Sequence, residues 1–189
     1  GQNSTTILAS GGNLNVTANN TGGNANYVLK ANGTTINTAT TASYTYNHTN
    51  ITSNQNYVLE VTQGTSTLTK SFAVVVNPGA LSQALPAGMK DGINYNQADP
   101  TKSTLVLNAP NKDFVYVAGS FNNYNPTSAY AMKKDPATGK FWLELTELTS
   151  GTFYNYQYWV GDQTNLPANS PALVKIADPF STLVLSPFD

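Results

Sequence analysis

The side chains with recognisable binding chemistry are concentrated between residues 113 and 160, where aromatic and amide groups are dense and both tryptophans of the chain occur. Planar aromatic rings stack on flat C–H surfaces such as the faces of sugar rings, and side-chain amides exchange hydrogen bonds with hydroxyl groups. These residue types therefore support recognition of an uncharged polar ligand. The candidates are Asn122, Asn123, Tyr124, Trp142, Gln157 and Trp159.

Residues that could make or break covalent bonds are few. The chain has no cysteine and a single histidine, His48, which we expect in a turn and without a catalytic partner. Its ten acidic residues are scattered, whereas a retaining glycoside hydrolase needs two carboxyl groups about 5–5.5 Å apart in a cleft. Asp178 is expected to serve a turn or an interface. We therefore predict no catalytic residue, no metal site and no cofactor.

The composition limits the classes of partner. Charged residues make up 10% of the chain, against about a quarter in average globular domains, and the formal net charge is −1. No basic stripe is present for nucleic acid, and no apolar run approaches the roughly 20 residues of a membrane-spanning helix. Low charge with many Asn, Thr, Ser and Gly residues is typical of secreted bacterial β proteins. We expect a monomer, secreted or at the cell surface, and Gly1 in place of Met indicates the mature part after signal removal.

Short strands must position the candidate side chains, and the first seven fall within residues 1–77. Apolar residues recur at every second position, and turns such as Asn32-Gly33 separate the segments. This spacing predicts an immunoglobulin-like β-sandwich. Ile51 followed by Tyr57 resembles a tyrosine corner, in which Tyr57 bonds back to the loop before its strand. The predicted strands are 5–8, 13–17, 26–30, 34–36, 43–46, 57–61 and 71–76.

A domain boundary is predicted after residue 77. Residues 78–90 carry Pro and Gly at both ends without hydrophobic periodicity, which indicates a linker. Residues 91–189 predict a second β domain. Its expected strands lie at 91–95 and 104–107 and within 113–124, 139–145 and 153–160.

Strict alternation assigns the faces of the last two strands. Leu143 shares one face with its apolar neighbours two positions away, and Trp142 lies on the other. The residues from 148 to 154 again have the spacing of a tyrosine corner, which would turn Tyr154 inward. Gln157 and Trp159 then project outward, as Trp142 does.

Four segments together carry a family resemblance. They are LPAGMKDGINY from Leu85, FVYVAGSFNNY from Phe114, GKFWLELTELTSGTFYNYQYWV from Gly139 and IADPFSTLVLSP from Ile176. Residues 85–189 resemble the family 48 carbohydrate-binding module, an early-set sandwich that precedes the catalytic barrel of bacterial family 13 glycoside hydrolases. The likeness is closest to secreted α-amylase-like proteins of Bacteroidetes, in which an immunoglobulin-like domain commonly stands first. The resemblance places the catalytic barrel beyond Asp189.

The resemblance also implies roles for individual residues. In glycogen-binding members a Trp ends the FNN motif, a Lys lies on the strand aligned with residues 156–158, and a second Trp follows. Tyr124 and Gln157 stand at the first two positions here, and the third has no aromatic counterpart. Trp142 and Trp159 are either substitute platforms or packing residues against the barrel or the first domain. Asn122 and Asn123 either contact the ligand or close a turn.

The sequence therefore predicts an all-β chain of two tandem immunoglobulin-like/early-set β-sandwiches that is not itself an enzyme. Its predicted function is a starch-binding accessory region of a secreted α-amylase-type glycoside hydrolase. The expected partners are α-glucan, bound weakly, and the downstream catalytic barrel of the same polypeptide. The alternative is a structural spacer that docks on the barrel and positions it. A concave, solvent-exposed cluster of Tyr124 and Trp159 in the full-length enzyme would favour binding, and burial of the same residues against the barrel would favour docking.

Overall fold

The computed structural model describes residues 4–178, and the fold is all-β, with 54% strand and 3% helix. This content confirms the predicted fold class. The chain divides into two compact units, Gly1–Asn77 and Pro78–Asp189. The helical residues among 4–178 form short 3₁₀ turns, and none is long and apolar enough to cross a membrane. Residues 179–189, which include most of the last resemblance motif, lie outside the described residues.

The first unit is a sandwich of a five-stranded and a two-stranded sheet. Its strands are β1 (Ser4–Ala9), β2 (Gly12–Asn19), β3 (Ala25–Ala31), β4 (Thr34–Thr41), β5 (Ser43–Ile51), β6 (Gln55–Gln63) and β7 (Ser66–Asn77). The larger sheet has the order β1-β7-β6-β3-β4, with β1 parallel to β7, and β2 pairs antiparallel with β5 in the smaller sheet. Each predicted strand is present, and most extend further than predicted.

Alternation along the strands builds the core of the first unit. In β3, Ala25, Tyr27 and Leu29 are buried, whereas Asn26, between Ala25 and Tyr27, is exposed. The ring of Tyr27 stacks on Tyr44 of β5 with 4.8 Å between centroids, which joins the two sheets. Burial of each such large side chain contributes about 1.5–3 kcal/mol, so these contacts hold the sandwich together.

His48 and Tyr57 differ from their predicted environments. His48 lies inside β5 rather than in a turn, because the pairing of β5 with β2 continues past it to Ile51. Tyr57 Oη and His48 Nδ1 are 2.7 Å apart and share a hydrogen bond. The predicted bond from Tyr57 to the loop before its strand is thus replaced by a bond to β5 of the other sheet.

The second unit is a sandwich of a four-stranded and a three-stranded sheet. Its strands are β8 (Gly92–Tyr95), β9 (Ser103–Leu107), β10 (Phe114–Gly119), β11 (Lys133–Lys134), β12 (Phe141–Leu145), β13 (Tyr156–Gly161) and β14 (Leu173–Ala177). The sheets have the orders β11-β12-β9-β8 and β10-β13-β14, and every pairing is antiparallel. Strands β11 and β14 were not predicted.

The predicted faces of β12 and β13 are confirmed. Leu143 and Tyr158 lie in the core between the sheets, with Tyr158 fully buried. The tyrosine corner is also present, because the backbone N–H of Thr149 donates to Tyr154 Oη at 2.8 Å. This bond holds the preceding backbone in a turn, and β13 consequently begins at Tyr156 rather than at residue 153.

Residues 78–90 do not form a free linker. The N–H of Lys134 donates to the carbonyl of Leu81, and the N–H of Gln83 donates to the carbonyl of Lys134, at 2.9 and 3.0 Å. Trp142 Nε1 donates to the carbonyl of Gln83 at 2.9 Å. These bonds attach the segment to β11 and β12, so the second unit begins earlier than residue 91.

Candidate ligand-binding site

Asn122 closes the turn that follows β10. The side-chain Oδ1 accepts the N–H of Gly119 at 2.9 Å, and Nδ2 donates to the carbonyl of Val117 at 3.0 Å. Residues Ser120–Asn122 form a 3₁₀ turn on this support. Both functions of the Asn122 amide are therefore used within the protein, which favours the turn-closing role over direct contact with a ligand.

The same turn presents Tyr124 to solvent in a strained backbone conformation. Asn123 and Tyr124 have φ angles of 52° and 53°, in the left-handed region that bulky residues rarely adopt. The N–H of Tyr124 donates to the carbonyl of Gly119 at 3.0 Å, and 41% of the residue's surface is exposed. Left-handed conformations of non-glycine residues cost on the order of 1–3 kcal/mol and recur at ligand sites. The turn thus holds an aromatic ring open to solvent at an energetic cost.

Trp159 lies on the predicted face of β13 but is buried. Only 5% of its surface is exposed, and Lys175 Nζ lies 4.2 Å from the ring centroid. The residue paired with it on β10, Tyr116, is also buried. Of the two roles that the sequence left open for Trp159, its burial favours packing over an open platform for a ligand.

Two polar atoms of this covered face lack hydrogen bonds. Within the part of the chain that the structure describes, Gln157 Oε1 and Trp159 Nε1 are buried without a partner. The two residues are separated by one position on β13 and share a face. An unsatisfied buried polar group costs about 1–3 kcal/mol, so this pair is an energetic liability of the fold.

Trp142 is also buried rather than open. Its exposed fraction is 4%, its Nε1 donates to the carbonyl of Gln83, and Lys133 Nζ lies 4.7 Å from its ring centroid. Glu144, on the same face of β12, is exposed. The residues from 81 to 85 thus account for the position of Trp142, which favours a packing role.

The structure brings together some candidates and separates others. Gln157 pairs with Ala118 at the end of β10, next to the turn that carries Tyr124. Trp142 belongs to the opposite sheet of the sandwich. The candidates that share one region are therefore Asn122, Asn123, Tyr124 and Gln157.

Asp178 serves the fold as a buried hydrogen-bond acceptor. Its Oδ2 accepts the hydroxyl groups of Tyr156 and Tyr158 at 2.5 and 3.0 Å. Burial is the main cause that raises the pKa of both tyrosines, and the Asp178 carboxylate adds to it. Among residues 4–178, no three His, Cys, Asp or Glu side chains come together as a metal site.

Sequence reasoning missed a cavity of about 460 Å³ whose lining includes Tyr154 of the tyrosine corner. It lies at one end of the second unit and is lined by residues of β8, β9, β12, the loop before β13 and the first residue of β13, and by Phe121 of the 3₁₀ turn before Tyr124. Its apolar walls, such as Leu105 and Leu145, read in the sequence as ordinary core positions. The signal that could have found it is Phe153, an aromatic residue in a turn with 86% of its surface exposed.

Comparison with known proteins gives structural similarities only. No protein-family profile and no curated protein matches this chain. A pullulanase from Anoxybacillus sp. LM18-11, solved in complex with maltotriose, is similar over 93% of this chain and 25% of its own length, with 14% identity and a TM-score of 0.37. β-Glucuronidase 3 of Bacteroides uniformis is similar over 92% of this chain and 23% of its own length, with 10% identity and a TM-score of 0.30. The chain thus spans about a quarter of the length of these proteins.

Proposed function

We propose that this chain is a non-catalytic accessory region of a secreted or cell-surface starch-active glycoside hydrolase, and that it holds α-glucan near a catalytic barrel of the same polypeptide. The observation that carries the proposal is the turn after β10. There Tyr124 is exposed on a left-handed backbone, at the position where the resembled family places a sugar-stacking aromatic residue. The low charged fraction of 10% favours a location outside the cell.

The affinity of this site should be low because Tyr124 is the one open ring among the three candidate platforms Tyr124, Trp142 and Trp159. Trp142 and Trp159 are buried, which leaves Tyr124 and the half-buried side chain of Gln157, whose Oε1 is itself buried. An aromatic contact contributes about 0.5–1.5 kcal/mol beyond its buried area, and a neutral hydrogen bond contributes a similar net amount. We therefore expect a dissociation constant of about 0.1 mM or poorer, equivalent to roughly −5.5 kcal/mol.

A structural spacer is the second candidate function. The burial of both tryptophans favours it, since their rings are already used in packing rather than kept free for a ligand. In this case the chain would position the catalytic barrel without binding glucan itself.

Titration of the whole chain with maltoheptaose or β-cyclodextrin, followed by NMR, separates the two candidates. Binding should shift the amide signals of residues 118–124 and 157, and Tyr124→Ala should weaken it about tenfold. Tyr124→Phe is the matched control, because it keeps the ring and should bind within about twofold of the unaltered chain. Absence of binding at millimolar sugar would favour the spacer. Release of reducing sugar from starch would contradict both candidates.

A further inference from the structure

The cavity of about 460 Å³ in the second unit has the size of a ligand site, since such sites span about 300–1,000 Å³. Ile93, Leu105 and Leu145 form apolar walls, and Tyr156 lines it from β13. These strands all reach the cavity at the same end of the sandwich. It uses none of the residues that the sequence nominated for binding.

Two exposed aromatic residues line this cavity. Phe153 and Tyr95 have 86% and 76% of their surfaces exposed, although neither is needed there for the core. The turn before Phe153 is fixed, because the N–H of Thr149 donates to Tyr154 Oη and the N–H of Thr152 donates to the carbonyl of Thr149. The aromatic residue is therefore carried on a supported turn rather than on a loose loop.

The polar lining of the cavity is close to neutral. Asp91 lines it and forms an ion pair with Lys140 at 2.7 Å, so its carboxylate charge is compensated. Ser103 and Asn155 add a hydroxyl group and an amide group to the lining. The lining therefore offers no unpaired charge to attract a charged ligand. The hydroxyl groups of a neutral ligand can form hydrogen bonds with the donors and acceptors of the lining.

We propose that this cavity binds the end of a short neutral oligosaccharide, with sugar faces on Phe153 and Tyr95 and sugar hydroxyls on Asp91 and Ser103. Apolar walls with a few convergent polar groups and flanking aromatic rings are the combination that a sugar requires. The choice of α-glucan as the natural ligand rests on the proposed function. The cavity itself rests on the geometry of the second unit.

The test uses the whole chain and four surface variants, Phe153→Ala, Tyr95→Ala, Tyr124→Ala and the control Leu68→Ala. Maltotriose, and separately a cello-oligosaccharide of equal length, are titrated while backbone amides are followed by NMR. We expect maltotriose to shift the amides of residues 91–95 and 148–156. Phe153→Ala and Tyr95→Ala should each raise the dissociation constant about tenfold. Leu68→Ala, at a position 76% exposed in the first unit, is the matched control and should change nothing. Unchanged urea midpoints would show that the exposed substitutions leave the fold intact.

The outcomes distinguish the cavity from the proposed function. If maltotriose binds but Tyr124→Ala abolishes binding while Phe153→Ala leaves it unchanged, the cavity proposal is overturned and the proposed function stands. If only the cello-oligosaccharide binds, with shifts confined to the cavity amides, the cavity site is supported and the α-glucan function is overturned. Absence of cavity shifts with every sugar at millimolar concentration overturns the cavity proposal.

Discussion

Replacement of Asn122 with alanine should destabilise the second unit by about 1–2 kcal/mol. The substitution removes two hydrogen bonds, from Gly119 N–H to Oδ1 at 2.9 Å and from Nδ2 to the carbonyl of Val117 at 3.0 Å. Each is worth about 0.5–1.5 kcal/mol net, which gives a total of about 1–3 kcal/mol. The side chain is only partly buried, so water can replace some of the loss, and the lower part of that range applies.

Urea unfolding followed by tryptophan fluorescence measures this effect selectively. Both tryptophans, Trp142 and Trp159, are buried in the second unit, so their emission reports its unfolding alone. Asn123→Gly is the matched control, since glycine adopts the observed φ of 52° without strain and should leave stability unchanged or slightly higher. A loss below about 0.5 kcal/mol for Asn122→Ala, or an equal loss for the control, would refute the assignment of Asn122 to turn closure.

Three further predictions concern packing, pH and domain independence. Gly161→Ala would place a Cβ 2.1 Å from the fully buried ring of Phe114, so we expect a loss of more than about 3 kcal/mol or no folded second unit, by tryptophan fluorescence. Burial raises the pKa of Tyr57 to about 12, so the unfolded chain releases this proton first and the first unit should lose stability between pH 10 and 12. Tyr57→Phe should lessen this loss, measured by urea unfolding followed by circular dichroism. An unfolding free energy of the variant that falls as steeply between pH 10 and 12 as that of the unaltered chain would contradict the reasoning. Fragments 1–77 and 78–189 should each unfold cooperatively, and a collapsed NMR spectrum of either fragment would argue against independent folding.

Alternation in the sequence correctly assigned which residues share a face, but it could not show what covers that face. In β12 the core positions and the outer position of Trp142 follow the pattern, yet Trp142 is as buried as its neighbours. Strand β10 is buried at all six of its positions. Burial on two faces depends on segments distant in the chain, such as Gln83, whose carbonyl accepts the Nε1–H of Trp142. A period of two contains no information about those segments.

Local hydrogen bonding explains which elements were predicted well. The spacing of Leu148, Gly151 and Tyr154 predicts the observed Thr149–Tyr154 bond, because all its parts lie within seven residues. The predicted partner of Tyr57 was wrong because its actual partner, His48, lies on another strand. The cavity was missed for the same reason, since its volume arises from four chain segments that meet only in the fold.

The unpaired polar atoms on β13 and the strained turn after β10 are relevant to the choice between a glucan-binding function and a structural-spacer function. A face that served only packing would lose nothing if Gln157 and Trp159 were replaced by apolar residues of similar shape, and it would avoid about 1–3 kcal/mol for each unsatisfied atom. The strained turn that exposes Tyr124 carries a further cost of similar size. The costs at Tyr124 and Gln157 fall at adjoining ends of β10 and β13, where Ala118 pairs with Gln157, whereas Trp159 pairs with Tyr116 in the middle of β10. Tyr124 is open to solvent whereas the unpaired atoms of Gln157 and Trp159 are buried, so it is the strained turn that favours a ligand site over a surface optimised only for stability.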